Sequence, residues 1–501
     1  MLHVSLIVIF AAIVLRDESR FTPPGVSELG QWTIIALTLA PLVWLSLVFD
    51  LYARICARKL DRGDVRAIGR ADLALTVTRT TAVALHVFNI LVLGWLDAVR
   101  SLTGGIALID GLIAVTPPLA VIILGWWSIY PLDRRARDAM VISDLDQGRN
   151  IRPPMERGPF VWMQSRHQLA LVVVPMLILL AWRGFAAWGV GLFTGAAAAS
   201  NGTGWRAAVD TWLSVHDRRD VVLGTLQLVG VAAVLLVMPL VLSRVWDTAP
   251  LEHGELFDRL TAMCRRQGVR VRRLLVWRTQ GSMVNGAVIG FVGPTRYILL
   301  TDSLLESLPR EQVEAVMAHE IGHVRRRHVP WLGVTLMAAF GGAELAAHVA
   351  LRLSGWFKHD RPDWMQIVVG VCILAFVLGA GLLAFGWVSR RFEWQADAFA
   401  AQQLADAPSV PGETSDRVTP NAVAAMAGAL EAVARLNHIP MLKFSFRHGS
   451  IATRIERLKG LVGRPIRALP IDRQVAAIKA VSGLLFGIVL AAMVIEFIRA
   501  S

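Results

Sequence analysis

Nine apolar runs, at residues 2–16, 32–53, 73–96, 104–130, 167–184, 221–246, 329–354, 365–388 and 475–498, recur along a chain of 501 residues. About 30 Å of hydrocarbon takes roughly 20 apolar residues of helix to cross, and a helix satisfies its own backbone groups there. Such a chain folds as a mainly α polytopic membrane protein with about nine transmembrane helices. The first run is short and lacks a basic leader and a small-residue exit, so it reads as a short span rather than a cleaved signal. Trp32, Trp95, Trp126, Trp127, Trp182, Trp246, Trp331, Trp364 and Trp387 fall near run ends, as an interfacial aromatic belt does.

The formal charge of +13 would suit a nucleic acid, but the basic residues crowd into loops. Arg54, Arg58, Lys59, Arg62, Arg66 and Arg70 follow the second run, and Arg134, Arg135, Arg137, Arg149, Arg152, Arg157 and Arg166 follow the fourth. The positive-inside rule places both loops in the cytoplasm, and counting spans places residues 247–328 there too. The lipid bilayer accounts for the charge, and no nucleic acid is called for. Cys56, Cys264 and Cys372 are too scattered for a disulfide framework or a CxxC pair. Arg79, His86, Asp110, Glu344 and His348 lie inside apolar runs, where they either pair between helices or line a wet cavity.

Residues 247–328 change character. Stretches 274–278, 283–292 and 297–301 read as short strands, with Gly293-Pro294-Thr295 as a turn, ahead of a helix over 311–328. This part is α+β, and an exposed edge strand in it can pair with an extended peptide. The helix carries His319, Glu320 and His323. Histidines at i and i+4 share a face and can share one cation, and neutral imidazoles suit Zn²⁺ with a third protein ligand and an open position. Chance supplies this H-E-x-x-H pattern about once in a hundred such chains. Glu320 stands beside the first histidine, placed to take a proton from water. His328 lies about 180° round a continuous helix from His319 and reads as structural.

Two crossings, 329–354 and 365–388, return the chain to the side it left, where Ser389 to Ala400 holds Glu393 and Asp397 four apart. Without the two histidines this would be a solvated face beside Arg390 and Arg391. With them, Glu393 is positioned as the third ligand and Asp397 as the acceptor that orients a ligand histidine.

HEIGH at 319–323 together with SRRFEWQADAFA at 389–400 resembles the integral-membrane zinc metallopeptidases that include type I CAAX prenyl endopeptidases and HtpX-like proteases. Further matches lie in PLEHGELFDRL (250–260), in Asn285-Gly286-Ala287 and in RHGSIATRIERL (447–458), so the resemblance covers about 247–460. The EERHGFN-like stretch of close prenyl-protease relatives is absent. The resemblance implies that His319, His323 and Glu393 bind one zinc per chain and that Glu320 is the general base. It further implies that Asn285, Gly286 and Ala287 hold a substrate strand, and that His448 or Arg454 supports the tetrahedral intermediate. Where the family often has His-Pro, this chain has His448-Gly449.

The implied architecture is an N-terminal transmembrane region (1–246), a cytoplasmic part with strands and the metal helix (247–328), a transmembrane hairpin (329–388), a second catalytic part (389–465) and a last span (475–498). Whether the helices enclose an internal chamber is left open. The implied activity is hydrolysis of peptide bonds in membrane-associated or membrane-protein substrates at the cytoplasmic face, in the inner membrane of a bacterium. A regulatory membrane partner is left open. The alternatives are a catalytically silent scaffold on the same fold and a transporter with an accidental motif.

Overall fold

The computed structural model describes residues 2–19, 26, 28–146, 155–192, 205–214, 218–356, 361–406, 416–467 and 469–500. The sequence Asn201-Gly202-Thr203, an N-glycosylation pattern that reads as incidental, lies outside them. The chain divides into two compact units, Met1–Trp246 and Asp247–Ser501.

The first unit is helical: α1 (Leu2–Ser19), α2 (Gln31–Asp61), α3 (Arg66–Leu91), α4 (Trp95–Thr103), α5 (Ala107–Asp146), α6 (Arg157–Gln164), α7 (Ala170–Gly191), α8 (Trp205–Ser214) and α9 (Arg218–Val245). Among the described residues of the whole chain, eight helices are long and apolar enough to cross a membrane, one fewer than the apolar runs suggest. The difference is the first run. The first helix, α1, is 18 residues long, about 27 Å at the α-helical rise, with a described apolar stretch over Ser5–Arg16. Leu6, Ile9, Phe10 and Ile13 are buried in protein, and Arg16 Nε donates to Asp97 Oδ2 at 3.1 Å. One face of this helix is packed in protein, while Ile7, Val8, Val14 and Leu15 are exposed.

Polar residues inside the apolar runs find partners nearby. His86 Nε2 lies 3.2 Å from the Ile9 carbonyl oxygen, Arg79 stacks over Trp126 at 5.1 Å, and Asp110 accepts from Thr103 Oγ1.

The second unit opens with β1 (Thr248–Pro250), α10 (Glu255–Arg266), β2 (Arg273–Trp277), β3 (Gly286–Ile289), β4 (Tyr297–Thr301) and α11 (Asp302–Ser307). It continues with α12 (Arg310–Arg325), α13 (His328–Leu353), α14 (Asp363–Asp406), α15 (Pro420–Leu436), α16 (Ile451–Lys459) and α17 (Pro470–Ala500). The sheet order is β1-β2-β4-β3, with β2 and β4 parallel and both outer strands antiparallel to their neighbours. All five residues of β4 are buried, as an inner strand covered on both faces requires. Leu260, Ile298, Leu300, Leu304, Met317 and Ile321 form the core between sheet and helices. Thr301 caps α11 by accepting from the Leu304 amide, Thr419 caps α15 before Pro420, and Ser450 caps α16.

Two features position the site. The eighth apolar run and the segment carrying Glu393 form one continuous helix, α14, so membrane insertion and ligand placement share a rigid element. The helix expected over 311–328 instead breaks at Arg327, whose left-handed φ of +53° turns the chain before α13 begins at His328.

Candidate active site

Helix α12 is buried along Val313, Ala315, Val316, Met317, Ala318, His319, Ile321 and Gly322. That face packs on α14 so closely that a Cβ at Gly322 would meet Phe399 Cδ1 at 3.1 Å and Ala396 Cα at 3.3 Å. The close approach brings His319 and His323 of α12 together with Glu393 of α14. Gly322→Leu should drive the helices apart, costing about 1–3 kcal/mol as overpacking does. Thermal unfolding and metal content of the variant check this; a variant matching wild type in both would show that the contact is not needed.

His319 Nε2 and His323 Nε2 stand 3.1 Å apart. Glu393 Oε2 lies 3.6 Å from the first, and its Oε1 lies 3.7 Å from the second. Tetrahedral ligands held at 2.0–2.1 Å from zinc stand about 3.3 Å from one another, so the three donors fit that geometry. These three residues form a possible metal-binding group in which the donor atoms all lie within 4.8 Å of one another. Two imidazole lone pairs at 3.1 Å repel each other unless a cation or a proton sits between them.

The surroundings divide the protons. Burial works against a charged His319, but hydrogen bonding and charge from Asp397 and Glu393 outweigh it and raise its pKa to about 10. Burial lowers His323 to about 4, with Glu393 opposing. Burial also raises the Glu320 carboxyl, against the pull of His319.

The other residues singled out from the sequence fall around this centre. Asp397 Oδ1 faces His319 Nδ1 at 2.9 Å. Arg454, 6% exposed, donates through Nε to Asp397 Oδ2 at 2.8 Å and through Nη2 to Asp397 Oδ1 at 2.7 Å. Its Nη1 lies 3.4 Å from Glu393 Oε2, so the guanidinium is occupied by the two carboxylates. His448 is half exposed, with Nδ1 3.0 Å from Glu393 Oε1. It sits in a tight turn closed by the Ser445–Gly449 backbone pair, and Gly449 has φ +75°, which a proline ring cannot adopt. The backbone here therefore differs from one built on His-Pro.

Gly286 lies directly against the metal helix, where a Cβ would come within 2.8 Å of Val316 Cγ1 and 3.4 Å of Glu320 Cγ. Ala287 pairs with Leu299 in β4, and the Asn285 side chain is exposed while its carbonyl accepts from the Thr301 amide. Strand β3 ends the sheet, and no described strand pairs its other edge. One supporting residue has no signature in the sequence. Asn437 donates to the Val284 carbonyl at 2.8 Å and accepts from its amide at 2.9 Å, imitating a strand partner at the entrance to β3.

Residues 250–462 match Peptidase family M48. A Protease HtpX homolog of Bacteroides fragilis is 27% identical over 164 residues, 30% of this chain and 50% of that protein. A Protease HtpX homolog of Aeropyrum pernix is 29% identical over 238 residues, 44% of this chain and 63% of that one. A CAAX prenyl protease 1 homolog of Arabidopsis thaliana is 30% identical over 164 residues, 30% of this chain and 38% of that one. The chain thus spans between about a third and two thirds of the length of these relatives. Among solved structures, S. mikatae Ste24p aligns over 82% of this chain and 98% of its own, with 14% identity and a TM-score of 0.35.

Proposed function

We propose, from the Peptidase family M48 domain that residues 250–462 form, that the chain is a membrane-embedded zinc-dependent endopeptidase. In this reading it cuts membrane-associated or membrane-protein substrates at the cytoplasmic face. The observation that carries the proposal is the convergence of His319, His323 and Glu393, from two helices, at zinc-ligand spacing. An accidental H-E-x-x-H in a transporter would leave no reason for a carboxylate from α14 to close the set. A silent scaffold would have no use for Glu320 beside it.

Zinc bound there supplies Lewis acidity toward a carbonyl and eases deprotonation of water. The chain's own residues do the rest. Glu320, its carboxyl raised by burial, takes the proton from water and returns it to the leaving amine. His448 stands at the exposed rim of the donor set, where its ring can donate to a developing oxyanion. Asp397 fixes the His319 tautomer through Nδ1, and Arg454 holds Asp397 in place. Asn285, Gly286 and Ala287 offer the uncovered β3 edge to an extended substrate, next to Glu320. The substrate is either a lipidated or short amphipathic peptide or a cytoplasmic loop of a misfolded membrane protein.

Purified protein should hold one zinc per chain and cut an unstructured peptide, with both lost in Glu393→Ala. A metal-replete wild type without zinc would refute the proposal. Zinc and protons compete for the same lone pairs. With His319 raised to about 10 and His323 lowered to about 4 in the metal-free protein, zinc uptake at pH 7 should release about one proton, from His319. Apparent affinity should then rise about tenfold per pH unit between pH 5 and 9. Titration calorimetry in buffers of different ionisation enthalpy measures the proton count, and a value near zero would contradict it.

A further inference from the structure

His323 needs its Nε2 lone pair for a metal, and a neutral imidazole keeps that lone pair only if its hydrogen is on Nδ1. The structure supplies a chain of contacts that settles where the hydrogen goes. Asp472, in the first turn of α17, is a carboxylate and can only accept. Gln395 Nε2 lies 2.6 Å from Asp472 Oδ1 and donates to it. The other end of the same amide, Oε1, then faces His328 Nε2 at 2.9 Å and accepts from it. With its hydrogen on Nε2, neutral His328 presents a lone pair on Nδ1. That nitrogen is 2.9 Å from His323 Nδ1, which must therefore be the donor. His323 is left with its lone pair on Nε2, the nitrogen facing His319 and Glu393.

Each link is held from outside the site. Arg326 Nη2 lies 3.4 Å from Asp472 Oδ1, and the start of α17 favours a negative charge. Gln395 is 3% exposed and His328 2%. His328 also stacks on Phe392, with ring centroids 4.5 Å apart and planes at 8°, which fixes the ring plane. The break at Arg327 makes the geometry possible, since on a continuous helix His328 would point away from His323.

We propose that Asp472, Gln395 and His328 are positioning residues that hold His323 in its metal-binding tautomer, so that the last membrane-spanning helix sets the polarity of the metal site. The inference rests on the zinc-peptidase reading. Outer partners of this kind typically change metal affinity by about 10–100-fold.

Breaking the Gln395–Asp472 link and rebuilding it with donor and acceptor exchanged tests the idea. Gln395→Leu deletes the link. Gln395→Glu keeps an acceptor for His328 but sets two carboxylates against each other, and Gln395→Glu/Asp472→Asn restores a donor opposite the new acceptor. Zinc affinity is measured by chelator competition, and the visible spectrum of the cobalt-loaded protein reports ligand geometry. Zinc binding should weaken about 10–100-fold in Gln395→Leu and Gln395→Glu. It should return to within about threefold of wild type in the double variant, with a wild-type cobalt spectrum. Wild-type affinity in Gln395→Leu, or a double variant as weak as Gln395→Glu, would overturn the relay. A wild type that takes up no zinc would instead overturn the peptidase reading beneath it.

Discussion

Glu320→Gln should lower kcat/KM for an unstructured peptide by about 10²–10⁴-fold, the range for losing a positioned general base, while zinc content stays at the wild-type level. Glutamine fills the same volume but cannot take a proton. Metal binding survives because the donor atoms belong to His319, His323 and Glu393. In the metal-free site burial raises the Glu320 carboxyl. Activity within tenfold of wild type would give the proton to another group. Loss of zinc would mean that Glu320 is needed to build the site rather than to work in it.

How much of this was legible from sequence depends on how local each cue is. His319 and His323 are separated by one helical turn, so their shared face follows from helix geometry alone. Glu393 needed one step more, that a two-span hairpin returns the chain to its starting side. For the first run, apolar length alone does not say whether lipid or protein covers it; Leu6 and Ile9 pack in protein while Ile7 and Val8 are exposed. Strand β1, three residues with Pro250 at its end, is too short to carry a period of two. His328 was misplaced because the break at Arg327, a left-handed non-glycine residue amid good helix formers, leaves no sequence signal. The partnerships of Gln395 with Asp472 and of Asn437 with Val284 join segments far apart in the chain, where spacing carries no information.

For Arg454 the resemblance implies a role toward the tetrahedral intermediate, and the geometry adds one in holding Asp397. Here Nε and Nη2 grip Asp397 and Nη1 faces Glu393, which engages three of the guanidinium's five N–H groups. Asp397 is 2% exposed and Glu393 6%, so removing the guanidinium strands two buried carboxylates. Breaking a buried pair from one side costs about 3–5 kcal/mol. Metal-free Arg454→Met should therefore unfold roughly 6–10 °C below wild type for a unit of about 250 residues. Added zinc supplies the missing positive charge, so it should raise the unfolding midpoint more in the variant than in wild type. Arg454→Lys keeps the charge but not the two-pronged grip, and should fall between them. Scanning fluorimetry of the three proteins, with and without zinc, measures each of these differences. An Arg454→Met protein of wild-type metal-free stability that binds zinc normally yet turns over slowly would return the residue to the transition state. A protein destabilised without metal and preferentially rescued by zinc would place its function in holding Asp397, and through Asp397 the His319 ring, where the metal needs them.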